Sequence, residues 1–473
     1  MRKAVIAFVV LALAAALAWW RPWGPSYAPV AGNTALDTWR APWNAAPASA
    51  EGRLPKRWIV VGWDGAGWDL LLPLVDAGKM PALSSLMREG GYGAMRSFKP
   101  TFSPVLWTTV ATGVDPAHHG ILAWGRVENG ETRRLFTNAD RRARALWNLM
   151  TDAGRPSLVV GYHNTFPADR IDGLMVSNFL YHEHLEDRMA IHDDATKTGA
   201  GLVYPTSRLP EILAIQREVT QAMPPALRRF AAYGPADAAE FQAPLARALR
   251  AGEDERKFFL KKAWLFDTMT GRIAEAEYPA IRPELAMVHF QCIDFASHYF
   301  LYFKDPSRFA SMKWSKDERA SLEAQQPLYA GTVEAFARYA DEWLDKLLAL
   351  RDADTGVLLL SDHGFEPEDN PKRTGDHPDA PPGIFVIAGP GVKTGKLPDA
   401  TLYDVMPTLA AALGLPVAKD LRSSPRADWF TAPLHAKEVA HYGSGQGYVP
   451  DIPLPDETEK ELLDQLRAIG YVR

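Results

Sequence analysis

The sequence predicts an α/β fold: a sheet flanked by helices on both faces, with a mainly helical insertion. Two observations carry this expectation. Short apolar runs alternate with stretches of helical spacing, the pattern of strands and crossover helices around a largely parallel sheet. The residues best suited to chemistry fall where those runs end, which is where open α/β sheets place their sites.

The clearest strand is Arg57-Trp-Ile-Val-Val-Gly-Trp, which leads into Asp64-Gly65. An apolar run ending in an acid and a glycine reads as a buried strand whose tip delivers a carboxylate into a crevice. Met80-Pro81-Ala-Leu-Ser-Ser-Leu-Met then has apolar residues at helical spacing with proline near its start, and Gly90-Gly-Tyr-Gly breaks it. From Pro104, Val-Leu-Trp-Thr-Thr-Val-Ala-Thr forms another helix pattern, closed by Gly113. Ser103 therefore stands at a helix N-terminus, where free N–H groups and the dipole favour an anion. A helix from Ala145 and strands beginning at Ser157 and Gly173 continue the alternation.

From 181 to 279 charged and apolar residues mix at helical spacing and sheet-like runs are scarce, which reads as a helical insertion over the sheet. Leu285-Ala-Met-Val-His-Phe-Gln-Cys-Ile returns to strand, an amphipathic helix over 332–350 feeds Val357-Leu-Leu-Leu, and a capped helix follows Tyr403. The expected division is an export segment over 1–20, a Pro- and Ala-rich linker over 21–55, and a catalytic domain over 56–180 and 280–473, with the insertion at 181–279.

At 473 residues, 47% hydrophobic and 23% charged, the chain has an ordinary globular balance and can bury a large core around one sheet. Its net charge of -5 gives no basic patch for nucleic acid or an acidic membrane surface. Met-Arg-Lys precedes an uncharged run from Ala4 to Trp20, and Ala16-Leu17-Ala18 is a small-residue cleavage pattern. That combination reads as a cleaved signal peptide or as a retained anchor with Trp19 and Trp20 at the membrane interface. Either reading places the catalytic part outside the cytoplasm, in a bacterial periplasm. Cys292 is the only cysteine, so no intrachain disulfide can form, and its apolar setting reads as core.

Seven residues make a bimetallic site in kit form: Asp64, Ser103, Asp294, His298, Asp362, His363 and His377. Asp294 and His298 are spaced i, i+4, so one helical turn presents both on one face. Asp362 and His363 are adjacent and approach a metal from two sides of a strand end. Mixed Asp and His ligands favour zinc over manganese. Two such ions can stabilise the entering and leaving oxygens of a phosphoryl displacement. They also activate a serine without a dedicated base, so the expected course is attack by Ser103 on phosphorus, a phosphoserine, and its hydrolysis.

Taken singly, these residues have plainer readings. Asp64 could be a strand-end cap, Ser103 an N-cap, Asp294 and His298 a surface pair, and His377 a turn residue. Thr101 is a rival hydroxyl. His118, before His119 and Gly120 in a turn, reads as structural, Asp69 as a first-turn acid and Asp404 as a cap. His182 and His184 are candidates for the pocket mouth by location alone. Joint occurrence in one order favours the site.

Asp64-Gly65, the run from Ser103 through Gly113 to His119-Gly-Ile121, Asp294-x3-His298, Ser361-Asp-His-Gly and His377 together resemble the alkaline phosphatase superfamily. Within it the likeness is to the type I phosphodiesterase and nucleotide pyrophosphatase branch, over about Trp58 to Leu415. The resemblance implies an alkaline-phosphatase-like sheet and two zinc ions. One would be held by Asp64, Ser103, Asp362 and His363, the other by Asp294, His298 and His377. Ser103 stands where that branch usually has threonine, and the asparagine that binds substrate phosphate in nucleotide pyrophosphatases has no match beside it. The sulfatase pattern Cys/Ser-x-Pro-x-Arg is absent. The resemblance implies a hydrolase of small-molecule or lipid-headgroup phosphate esters, a diester or pyrophosphate first. Monoesters, phosphonates and headgroup transfer are alternatives, and a catalytically silent envelope binding protein is the alternative from another class.

Overall fold

The strand-tip aspartate of the first long apolar run sits at the middle of one sheet. In the computed structural model, which describes residues 35–43, 52–181, 200–234, 255–454, 456–468 and 472, this sheet has ten strands among the described residues. They are β1 (Arg57–Trp63), β2 (Gly91–Arg96), β3 (Ser157–Val160), β4 (Gly173–Val176), β5 (Val203–Tyr204), β6 (Leu285–Phe290), β7 (Thr355–Leu360), β8 (Gly383–Ala388), β9 (Gly395–Lys396) and β10 (Ala400–Thr401). Their spatial order is β9, β2, β8, β7, β1, β6, β3, β4, β5, with β10 also beside β2. β1 lies parallel between β6 and β7, and β3 and β4 continue parallel. Of the strands, β8 and β5 run antiparallel to their neighbours. The carboxyl ends of β1, β2, β3, β6 and β7 therefore share one edge.

The flanking helices are α1 (Trp68–Asp76), α2 (Pro81–Glu89), α3 (Ser103–Thr112), α4 (Leu146–Asp152), α5 (Leu209–Ala226), α6 (Glu255–Ile281), α7 (Cys292–Lys304), α8 (Lys316–Tyr329), α9 (Thr332–Leu348) and α10 (Val405–Ala412). Alternation along β1 sends Ile59, Val61 and Trp63 to one face, into a layer with α1, α2, α6, α7 and α9. Trp58 and Val60 go to the other face, into a layer with α3, α4 and α10. Burial on both faces explains why β6, β7 and β8 read as unbroken apolar runs rather than alternating ones.

Within 181–279, β5 adds an antiparallel strand to the sheet edge. α6 is a 27-residue helix packed on α7, β3 and β6, so its buried side belongs to the sheet's own core layer. The export segment 1–20, most of the linker, and His182 and His184 lie outside the described residues. Among the described residues no single helix is long and apolar enough to cross a membrane.

α6 also fixes the start of α7. The buried Asp267 carboxylate accepts the backbone N–H of Gln291 at 2.8 Å and of Cys292 at 3.1 Å. These are orphan donors at the N-terminus of α7, and a side chain from another helix caps them. Cys292 itself is buried and directs its thiol to the Phe336 carbonyl, as its apolar surroundings predict. Asp267→Ala leaves both N–H groups buried and unpaired, with an expected loss of about 1–3 kcal/mol, read from the urea unfolding midpoint.

Candidate functional site

Asp64 follows β1 directly, and Gly65 turns the chain away with φ of +74°. A Cβ on Gly65 would meet the Phe365 ring at 2.5 Å and the Asp294 Cα at 3.0 Å, so glycine also allows α7 to approach. The two oxygens of the buried Asp64 carboxylate face different partners. Oδ1 accepts from the Ser103 hydroxyl at 3.3 Å and lies 3.5 Å from His363 Nε2. Oδ2 accepts from the Trp107 indole N–H at 2.9 Å and lies 3.4 Å from His163 Nε2 and 3.3 Å from His289 Nε2.

Ser103 is the first residue of α3, after an extended Phe102, with Pro104 in the first turn where its missing N–H costs nothing. Gly113, in the left-handed region, ends the helix as the sequence predicts. His119 is buried against the Thr109 hydroxyl, and Asp115 caps its short helix, with the exposed His118 ring 2.8 Å from the Asp115 carboxylate. Asp362 and His363 follow β7, with Asp362 Oδ2 3.4 Å from His363 Nε2. α7 places Asp294 Oδ1 3.4 Å from His298 Nε2 on one helical face. His377, in the loop before β8, brings Nε2 to 4.0 Å from Asp294 Oδ1. Thr101 lies in the same cluster but donates its hydroxyl to the His377 carbonyl at 2.7 Å. It supports that loop, whereas Ser103 faces Asp64.

The seven expected residues thus meet in one buried volume. Asp64, Asp362 and His363 form one group with ligand atoms within 4.8 Å of one another, and Asp294, His363 and His377 form another. A third group joins His298, Asp376 and His377. The imidazoles are held by their far nitrogens: Nδ1 of His298 lies 2.8 Å from the Gly375 carbonyl and Nδ1 of His363 3.0 Å from that of Gly364. Each ring then turns Nε2 inward, the second-sphere support typical of metal-binding histidines.

Five of the inward atoms lack partners. Asp294 Oδ1, Asp362 Oδ2 and Nε2 of His289, His363 and His377 are buried with no hydrogen bond. Buried polar groups are nearly always satisfied, so a convergent set of carboxylate and imidazole acceptors fits divalent cations. The electrostatics agree. Burial, reinforced by the Asp64 charge, pushes the Asp294 carboxyl up to about 8 and the Asp362 carboxyl well above its usual range. Burial alone would raise Asp64 too, but the imidazoles of His163, His289 and His363 hold it well below. Burial lowers His289, and takes His298 down to about 3 with help from the Arg373 charge; His377 is lowered by burial and by its neighbouring histidines. Those rings are neutral at physiological pH and ready to coordinate.

Sequence reasoning missed His163, His289, Trp107, Arg373 and Asp376. His163 sits just past β3, a strand end like the others, and His289 is a lone polar residue inside an apolar strand. Arg373 lies against the third group, with Nη2 3.3 Å from His298 Nε2 and 3.0 Å from Asp376 Oδ1. Nothing in the loop spacing signals that pairing.

A family model described as type I phosphodiesterase / nucleotide pyrophosphatase matches residues 58–382. Among solved structures, phosphonoacetate hydrolase from Sinorhizobium meliloti 1021, in complex with phosphonoformate, is 18% identical with a TM-score of 0.38, over 69% of this chain and 61% of that one. The chain thus spans about three-fifths of that enzyme's length. BT1596, a 2-O GAG sulfatase, is 12% identical with a TM-score of 0.45, over 81% of this chain and 76% of that one. No curated protein matches.

Cations that occupy these groups must displace protons from Asp294 and Asp362, so binding weakens as pH falls. Zinc at about 100 times its Kd is expected to stabilise the fold by about 2.7 kcal/mol per site. The rise in thermal midpoint over chelator-treated protein should be larger at pH 8 than at pH 6. An equal or inverted rise would contradict the proton competition.

Proposed function

Since the chain belongs to the type I phosphodiesterase / nucleotide pyrophosphatase family of the alkaline phosphatase superfamily, we propose that it is an exported, metal-dependent hydrolase of phosphate esters that works through Ser103 and two zinc ions. The observation that carries this reading is a serine hydroxyl at a helix N-terminus, facing the same buried carboxylate that anchors a set of unpaired Asp and His ligand atoms. Small-molecule or lipid-headgroup phosphate esters are the substrates in view, with diesters or pyrophosphates first.

Asp64, Ser103, Asp362 and His363 would hold one ion, and Asp294, His298 and His377 the other. Divalent cations there supply Lewis acidity, lowering the proton affinity of the serine and drawing charge from the entering and leaving oxygens. Asp64 Oδ1 accepts the Ser103 proton bond and orients the oxygen's lone pairs outward. The start of α3 adds positive potential where the phosphoryl group must lie. Ser103 Oγ attacks phosphorus, the ester's alcohol leaves, and water cleaves the phosphoserine in a second displacement. Arg373, half-buried beside His298 and paired with Asp376, sets a cation against the second ligand set. The near-complete burial of Asp64, Asp362 and His363 excludes bulk water and strengthens each of these interactions. Export by the N-terminal segment rests on its basic and apolar regions.

With zinc supplied, hydrolysis of bis-p-nitrophenyl phosphate is expected to exceed that of p-nitrophenyl phosphate. Ser103→Ala should lower turnover on the order of a thousandfold or more while metal-dependent stabilisation largely remains. A monoester preference lost in the mutant would move the protein to the phosphatase side. Turnover unchanged in Ser103→Ala would remove the serine from the mechanism.

A further inference from the structure

The amino ends of β1, β6 and β7 lie at the edge of the sheet opposite the ligand groups, and a cavity opens there. We propose that Arg57 and Arg282, with the apolar wall beside them, bind a small organic oxyanion, a phosphate or carboxylate on a compact apolar body. This site is independent of the proposed function. Arg57 begins β1 and Asp64 follows its last residue, so the two lie about 23 Å apart at a strand rise of roughly 3.3 Å per residue.

Three chain segments bound the cavity. They are the start of β1 at Arg57, the last turn of α6 with Arg282 and Pro283 after it, and the segment from Ala349 to Asp352 that joins α9 to β7. The volume is about 440 Å³, which holds an organic molecule rather than a lone ion. Tyr278 and Pro283 are buried and Leu350 is half-buried, so an apolar face stands beside the two guanidinium groups.

Cations outnumber acids at this edge. Asp354 is shared by Arg53 and Lys56, Glu284 pairs with Arg155, and Asp352 pairs with Arg57 Nη1. Arg282 makes no ion pair or side-chain hydrogen bond among the described residues. On Arg57 only Nη1 has an acceptor among them, and Nε is buried with none, although a guanidinium offers five N–H donors. The Nε–Nη2 edge, which meets two oxygens of a carboxylate or phosphate side by side, is therefore unspent. The Arg57 side chain is 28% exposed, so a turn of its end brings that edge to a ligand.

The backbone at Arg282 is a second, independent sign. α6 closes there with φ of +51°, and the Arg282 N–H donates to the Tyr278 carbonyl at 2.8 Å. Helices that end in this left-handed conformation usually place glycine at that position, because a Cβ is strained in it. Strained residues of this kind cluster at ligand clamps. Glycine would close α6 with less strain, whereas arginine adds a second cation to the lining of the cavity.

The test is calorimetric titration of the zinc-loaded protein with phenylphosphonate and with benzoate, together with a wild-type crystal soaked in each. Density is expected against Arg57 and Arg282. Arg282→Gly should weaken binding at this site on the order of tenfold or more, while the thermal midpoint holds or rises and hydrolysis of bis-p-nitrophenyl phosphate is unchanged. Glycine suits the backbone there, so misfolding does not account for lost binding in that variant. Arg57→Gln should weaken binding as well, and Arg282→Lys should retain most of it. Tighter binding of phenylphosphonate than of benzoate would assign a phosphate, and the reverse a carboxylate. Density at the Ser103 centre alone would overturn this site and leave the proposed function standing. Density against Arg57 and Arg282 with a solution affinity that Arg282→Gly does not change would mean binding at crystal concentration only, and would overturn it too. So would the absence of both density and heat, which the wild-type protein decides without any variant.

Discussion

One buried carboxylate, that of Asp64, governs the geometry of everything around it. It stands at the tip of β1, with parallel neighbours on both sides, so the carboxyl ends of β6 and β7 lie within side-chain reach of its oxygens. Oδ1 addresses Ser103 and His363; Oδ2 addresses Trp107, His163 and His289. The carboxylate thus divides the site into two halves and couples them. A strand shifted by one residue would turn its side chain into a core layer instead of the crevice, so the register of β1 is itself a functional constraint.

The ligand candidates are far apart in sequence, from 64 to 377, and the fold gathers them at one edge of the sheet. Asp64, Asp362 and His363 follow strand ends, Ser103 and Asp294 stand in the first turn of a helix with His298 one turn on, His377 comes from the loop before β8, and each imidazole is oriented from behind. Gly375, Gly364 and Gly161 offer their carbonyls to His298, His363 and His289, and Thr101 flanks His377. Backbone carbonyls move less than side chains, so the inward nitrogens are fixed before any ion arrives. Preorganisation of this kind places the ordering cost in folding rather than in binding.

The architecture and the seven ligand candidates were legible because both are written locally. Apolar runs ending in Asp-Gly or Asp-His state where a parallel strand stops, and an i, i+4 pair states its own geometry on a helix. What was not legible depends on register between distant strands. His289 reads as an odd polar residue in a strand until its pairing with Gly62 shows the ring aimed at Asp64. Arg373 belongs to a loop whose path is set by contacts with α7, and no spacing rule reports it. α6 reads from its mixed charged and apolar residues as part of a helical insertion over the sheet, and its buried side packs on β3 and β6, which the spacing alone does not name. Periodicity identifies a helix and its apolar stripe but not the partner that covers the stripe.

Charge explains why so polar a cluster can exist inside the protein. Asp64, Asp294 and Asp362 share one desolvated volume, and three bare negative charges there would repel one another strongly. The chain resolves this unevenly. Asp64 gathers donors and imidazoles and stays ionised, while Asp294 and Asp362 are pushed toward their protonated forms. Divalent cations can replace those protons and restore both carboxylates as ligands, so loading the site and neutralising it are one event. Under the proposed function, the hydroxyl that faces Asp64 would be activated only in the loaded state. An uncharged serine beside a carboxylate is a poor nucleophile, and a divalent cation held nearby would make it a better one. The uneven placement of charge therefore ties the burial of Asp64 in the fold to the protonation of the two carboxylates beside it.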